Sequence, residues 1–150
     1  GARPFTVYKF RSMRVDAEAL RDSLEDLNES QGPLFKMRRD PRITRVGRVI
    51  RKLSIDELPQ LINVFKGEMS LVGPRPPLPS EVDLYESWQR KRFEVLPGIT
   101  GLAQISGRSD LSFDETLRFD FFYIENWSPL MDVKIMLKTL PGVVLGRGAY

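Results

Sequence analysis

Two adjacent carboxylates, Asp56 and Glu57, are the residues of this sequence best placed to do chemistry. Lys36, Arg38, Arg39, Arg42, Arg45, Arg48, Arg51 and Lys52 precede them, opposed in that stretch by Asp40 alone, and Arg75 follows within Gly73-Pro74-Arg75-Pro76. Carboxylates bracketed by cations suit an anionic substrate, phosphate above all. The prolines around Arg75 make a rigid turn that would hold its guanidinium in one direction, as bidentate phosphate binding requires. The same residues also have ordinary structural accounts. Ser54-Ile55-Asp56-Glu57 fits a capping box, with Ser54 accepting from the third helical amide and Glu57 reaching back to the cap amide. Asp56 would gain a few tenths to about 1 kcal/mol at the positive end of that helix, and Arg75 serves equally as an exposed turn residue.

Composition narrows the chemistry. The chain has no Cys and no His, which removes thiolate and imidazole nucleophiles, Ser-His triads and most transition-metal sites. Any catalysis rests on carboxylates, Lys, Arg, hydroxyls or a hard metal ion. With 150 residues, 41% of them hydrophobic, the chain can bury a core and fits one domain. Its net charge is only +3, from 23 basic and 20 acidic residues, so the local basic block matters more than the total. No apolar run reaches the roughly 18 residues of a spanning helix, and no signal-peptide pattern is visible.

The elements that must position these residues follow from periodicity. Residues 5–10 alternate aromatic and β-branched side chains and predict a short strand, with residues 34–37 as a hairpin partner. Residues 16–30 are acidic, with Leu20, Leu24 and Leu27 at helical spacing, and predict an exposed helix. Ile43, Val46, Val49 or Ile50, and Leu53 mark a basic amphipathic helix, which either faces a core or lies in a membrane interface. A second helix is expected to open at Ser54, with Leu58, Leu61, Ile62 and Phe65 as its buried stripe and Gly67 as its stop. Residues 97–109 form a glycine-bearing loop whose amides could approach a phosphate. Residues 111–126 and 130–140 predict two more helices, in the first of which Asp120 needs a partner, an arginine of the site being one candidate. The predicted fold class is α+β and mainly helical: a short N-terminal β-hairpin with amphipathic helices around a phosphate-binding site.

Several stretches taken together carry a resemblance. Lys9-Phe10-Arg11-Ser12-Met13, Ser54-Ile55-Asp56-Glu57-Leu58-Pro59-Gln60-Leu61, Met69-Ser70-Leu71-Val72-Gly73-Pro74-Arg75-Pro76, Pro97-Gly98-Ile99-Thr100-Gly101, Ser106-Gly107-Arg108-Ser109 and Phe122-Tyr123-Ile124-Glu125-Asn126-Trp127-Ser128 occur in that order. They resemble the bacterial sugar transferase family, the monotopic polyprenol-phosphate phosphoglycosyl transferases of the undecaprenyl-phosphate sugar phosphotransferase type. The resemblance implies transfer of a sugar 1-phosphate from a UDP-sugar to polyprenol phosphate with release of UMP, the first membrane step of surface glycan (exopolysaccharide) assembly. It implies that Asp56 is the nucleophile, forming a phosphosugar-aspartate intermediate, that Glu57 completes the dyad, and that Mg²⁺ touches Asp56 at the diphosphate. Lys9, Arg11, Arg51 and Arg75 match phosphate-binding positions, and Gly107 and Arg108 are further binding positions.

The family also implies an upstream membrane-inserted helical hairpin, so residues 1–150 are expected to be a catalytic domain without it. The expected location is the cytoplasmic face of the bacterial inner membrane, on an anionic surface. A homo-oligomer is compatible with the sequence, and no nucleic acid is expected. Many relatives have an aromatic residue where this chain has Ala103. Two other readings of the basic block stand beside this one: a basic nucleic-acid-binding domain and a catalytically inert membrane-surface module.

Overall fold

The computed structural model describes residues 3–20, 22–28, 37, 39–107 and 111–145. Its helices are α1 (Arg45–Lys52), α2 (Gln60–Phe65), α3 (Pro79–Val82), α4 (Leu102–Ser106), α5 (Phe113–Glu125) and α6 (Pro129–Leu145). Short 3₁₀ turns cover Asp22–Leu27, Ile55–Glu57 and Ser87–Glu94. Two strands, β1 (Ser70–Val72) and β2 (Gly98–Thr100), pair in parallel, with Ser70 opposite Gly98 and Val72 opposite Thr100. The fold class is therefore α+β and mainly helical, as the sequence predicts.

Local chemistry explains where the longer helices start. Thr44 caps α1, its hydroxyl accepting from the Gly47 amide at 2.8 Å, which satisfies one of the orphan donors of the first turn. Ser112 and Glu115 form a reciprocal capping box on α5. The inward face of α5 then supplies both halves of the core. Tyr123 packs with Val72 and Ile135, and Leu117 packs with Tyr85 and Phe113. The Tyr123 and Trp127 ring donors both reach the carboxylate of Asp132, at 2.9 and 3.1 Å, and so fix α6 against α5.

The parallel strand pair places the Gly-Pro-Arg-Pro turn. Gly73 N donates to the Thr100 carbonyl and Gly98 N donates to the Pro74 carbonyl, both at 2.9 Å. A Cβ on Gly98 would lie 2.1 Å from Gly73 N, so these two backbones meet at a distance only glycine allows. The Gly98 amide is thus used to hold the turn and is not free for a phosphate.

Three expectations about local structure are corrected. Residues 5–10 form no strand: their backbone groups bond to a side chain of α2 and to the turn before it, and no ladder is left to build. Residues 34–36, the core of the expected partner, lie outside the described residues. The antiparallel pairing near the N-terminus is the single bridge between Met13 and Ile43. Ser54 makes no capping bond, because its backbone is left-handed at φ 53°. Finally, the stripe Leu58, Leu61, Ile62 and Phe65 is exposed, and α2 buries Gln60 and Asn63 instead. Among the described residues no helix is long and apolar enough to cross a membrane.

Asp120 finds its partner in Arg92, which is none of the arginines expected at the site. The pair is 2.7 Å apart, with side chains only 2% and 5% exposed. Arg92 also donates to the Tyr85 hydroxyl at 2.6 Å and to the Arg75 carbonyl at 3.2 Å. Burial pushes the Asp120 carboxyl up to about 6 against the pull of Arg92. The folded state therefore holds this proton more tightly than the unfolded chain. Its contribution to stability falls as pH rises from the ordinary 3.8 to about 6, because the folded state binds more protons in that window. Asp120→Asn should remove that falling component and, by leaving the Arg92 charge buried and unmatched, cost about 3–5 kcal/mol in denaturant unfolding at neutral pH.

Candidate active site

The site is assembled by residues 6–12, an irregular strap that bonds to the body at every second residue, as an extended chain does. The Thr6 carbonyl accepts from Asn63 Nδ2 at 2.7 Å, and the Tyr8 amide donates to Asn63 Oδ1 at 3.1 Å. The Phe10 amide donates to the Asp56 carbonyl at 3.0 Å. The Ser12 carbonyl accepts from the Thr44 amide at 3.0 Å, and the Ser12 hydroxyl accepts from Arg51 Nε at 3.0 Å. The strap thus touches α2, the acid pair and α1 in succession. Gly47 lets it lie flat: a Cβ there would fall 1.8 Å from the Ser12 carbonyl oxygen.

The acid pair occupies the 3₁₀ turn between α1 and α2. Left-handed Ser54 reverses the chain at the end of α1, a conformation that costs a residue with a side chain roughly 1–2 kcal/mol. The turn closes through Glu57 N to the Ser54 carbonyl and Leu58 N to the Ile55 carbonyl, both at 3.2 Å. Asp56 is buried at 5% exposure. Glu57 is half-buried and pairs with Lys9 Nζ at 2.8 Å. Burial pushes the Asp56 carboxyl above its usual range; Lys9 pulls it back down, Glu57 raises it, and Arg51 lowers it. The carboxylate form of Asp56 therefore depends on the two cations that the strap and α1 hold near it.

Lys9, Arg51, Asp56 and Glu57 are brought together as the sequence suggests. Arg11 lies two residues further along the strap, exposed and without an ion pair to any described residue. Arg75 presents an exposed side chain with no bond to the acid pair, while its carbonyl is gripped by Arg92. Gly107 closes α4, half-buried, its amide donating to the Ala103 carbonyl at 3.3 Å. Arg108 lies outside the described residues.

The residues that position the site are the ones local patterns missed. Asn63 interrupts an apolar run, Leu61-Ile62-Asn63-Val64-Phe65, and Gly47 sits inside a helix at a cost of about 1 kcal/mol relative to Ala. Both irregularities are visible in the sequence, though their meaning is not. Among the described residues no group of three or more acidic side chains could enclose a metal by itself. The oxygens of Asp56 and Glu57 fit a different case, a hard divalent ion bound by one or two carboxylates together with substrate phosphates.

Residues 1–146 match the family described as bacterial sugar transferase. The chain is 55% identical over 148 residues to galactosyl transferase CpsE of Streptococcus agalactiae, covering 98% of this chain and 33% of that protein. It is 48% identical over 153 residues to the UDP-galactose-lipid carrier transferase of Erwinia amylovora, covering 99% and 32%. It is 45% identical over 150 residues to the undecaprenyl-phosphate galactose phosphotransferase of Salmonella typhimurium, covering 97% and 32%. The chain thus spans about a third of the length of each of these three relatives.

Gly47→Ala tests the seating of the strap. The added methyl group meets backbone and not a flexible side chain, so the strap must lift. The variant should lose about 1–3 kcal/mol, read as a lower denaturant midpoint, and should be cut faster by protease at residues 3–13. An unchanged midpoint would mean that the strap is not seated on α1.

Proposed function

The chain belongs to the bacterial sugar transferase family, and from that premise we propose that it carries the catalytic residues of a polyprenol-phosphate phosphoglycosyl transferase. The observation that carries this reading is the placement of Asp56: buried, on a tight turn, next to Glu57 and within the field of Lys9 and Arg51. In the proposed reaction an Asp56 carboxylate oxygen attacks the β-phosphorus of a UDP-sugar. The bond from that phosphorus to the bridging oxygen breaks, and UMP leaves with the electron pair. An oxygen of polyprenol phosphate then attacks the phosphosugar-aspartate, and the carboxylate is regenerated.

Each residue has a distinct task in this scheme. Lys9 and Arg51 favour the ionised form of Asp56 against its burial and supply positive charge where the phosphoryl group transfers. Glu57 pairs with the Lys9 ammonium beside Asp56 and completes the dyad. Arg11 and Arg75 keep their guanidinium groups free of described partners and so available to phosphate oxygens. Asp56, with Glu57 beside it, would hold Mg²⁺ brought in with the diphosphate, where it would neutralise charge that otherwise repels the carboxylate. The names of the Erwinia and Salmonella relatives fit a nucleotide-sugar donor and an undecaprenyl phosphate acceptor.

A membrane surface fits the outer face of the same region. Val46, Val49, Leu53, Leu58, Leu61, Ile62 and Phe65 are exposed, and Phe65 is 91% exposed. Exposed Arg45, Arg48 and Lys52 lie among them. Apolar groups mixed with cations suit an anionic bilayer surface, where a lipid phosphate substrate resides. This favours the membrane over nucleic acid as the partner of the basic block, on the cytoplasmic face of the bacterial inner membrane where nucleotide sugars are supplied.

Full-length protein carrying this chain, in detergent with Mg²⁺, UDP-sugar and polyprenol phosphate, should release UMP. Asp56→Asn should abolish release, and full activity in that variant would sink the nucleophile assignment. Arg75→Lys, which replaces a planar fork by a point charge, should lower turnover roughly tenfold or more. Phe65→Asp should weaken sedimentation with anionic phospholipid vesicles by roughly tenfold. Equal binding of variant and parent would exclude this face as the contact.

A further inference from the structure

We propose that Asn63 is a positioning residue of the site: by clamping the strap on α2 it sets Lys9 against the acid pair. Asn63 is fully buried at 0% exposure, and every polar atom of its side chain is used. Its Oδ1 accepts from the Tyr8 amide at 3.1 Å, and its Nδ2 donates to the Thr6 carbonyl and to Glu68 Oε2, both at 2.7 Å. Its own carbonyl accepts from the Glu68 and Met69 amides, at 3.0 and 3.3 Å. One residue therefore joins the strap to α2 and to the entry of β1.

Lys9 lies between two anchored amides. Tyr8 is held by Asn63 and Phe10 is held by the Asp56 carbonyl, so the backbone of Lys9 is fixed from both sides. The lysine cannot hold itself there. Its pair with Glu57 has side chains 40% and 35% exposed, and an ion pair so open to solvent contributes little and is screened by salt. What keeps the ammonium near Asp56 is the placement of its backbone, and Asn63 supplies half of that placement.

The chemistry of the clamp requires an amide. The strap presents a carbonyl at Thr6 and an N–H at Tyr8 on the same side, so their partner must donate and accept at once. A carboxylate at position 63 would still accept from Tyr8 but would face the Thr6 carbonyl and the Glu68 carboxylate without a donor. An apolar side chain would leave both strap groups without a partner on the α2 side. The consequence for turnover rests on the phosphotransfer reading given above, whereas the clamp itself does not.

The test uses full-length protein and breaks the clamp at each of its two strap bonds. Asn63→Asp breaks the clamp from α2. Tyr8→Pro breaks it from the strap by deleting the donor N–H, with Tyr8→Ala as the control that loses the same side chain but keeps that N–H. Acylation of Lys9 by an amine-reactive ester is followed by mass spectrometry, with the exposed Lys134 and Lys138 as internal references. Lys9 should be labelled roughly fivefold faster or more in Asn63→Asp and Tyr8→Pro, with Tyr8→Ala close to the parent. UMP release should fall in both clamp variants but should not fall further when either is combined with Lys9→Ala. Unchanged Lys9 labelling in a cooperatively folding clamp variant would overturn the proposal. Losses that multiply with Lys9→Ala would show that Asn63 does not act through Lys9. Should Asn63→Asp fail to fold, the comparison of Tyr8→Pro with Tyr8→Ala decides alone. A parent without UMP release counts against the phosphotransfer reading, and the labelling rates still decide the clamp.

Discussion

The backbone of residues 6–12 has polar groups to satisfy and no neighbouring strand to satisfy them, and the architecture of the site follows from that constraint. A main-chain donor or acceptor left unmet in the interior costs as much as a lost hydrogen bond. The body therefore turns polar groups toward the strap's main chain: the Asn63 side chain from α2, Thr44 at the head of α1 and the carbonyl of Asp56. Once Asn63 and Gln60 face inward, the helical period leaves Leu58, Leu61, Ile62 and Phe65 facing outward. The exposed apolar surface and the seated strap are two results of one choice of helix face. A helix that buried its leucines would have nothing to hold Thr6 and Tyr8 with.

Electrostatics at the site depends on the same seating. Asp56 is raised by burial, and Lys9 and Arg51 act against this. Both cations are held through the strap, Lys9 by belonging to it and Arg51 by donating to the Ser12 hydroxyl. The half-exposed Lys9–Glu57 pair differs in kind from the sealed Arg92–Asp120 pair. The sealed pair lies in the core, where loss of one partner leaves a charge with no water. The open pair can be broken and remade at little cost, so Lys9 can leave Glu57 without unfolding anything.

Much of this was legible in the sequence, and the failures share a physical cause. Periodicity located α1, α5 and α6 because each carries a repeating apolar face. It could not tell whether that face meets a core or a surface, since Leu61, Ile62 and Phe65 repeat with the helical period in either case. The capping-box pattern at Ser54 and Glu57 yielded because Ser54 is left-handed and Glu57 turns to Lys9, a residue 48 positions away. Alternation in residues 5–10 pointed to a strand, but the backbone bonds of Thr6 and Tyr8 go to Asn63, 57 and 55 positions distant. Local propensity is blind to such partners. The acid pair and the arginines stood out because scarcity of alternatives, with no His and no Cys, leaves few groups able to do chemistry.

The basic block also divides once its partners are known. Arg42 forms a buried fork with Asp40, its Nε and Nη2 at 2.9 and 2.7 Å from the two carboxylate oxygens, and a guanidinium engaged in that way cannot also grip a phosphate. Arg45, Arg48 and Lys52 are exposed along α1, where they meet bulk solvent or a surface and no enclosed ligand. Among the described residues of the block, Arg51 alone is turned inward with only a neutral hydroxyl as its hydrogen-bond partner. Its charge reaches Asp56 yet is not consumed by a carboxylate. Among its described residues, a stretch that reads as uniform positive charge is therefore three things: a structural fork, an outward cationic face and a single inward cation whose field reaches Asp56. Net charge over the block is dominated by the first two, so charge counting cannot single out the one arginine whose field reaches the acid pair.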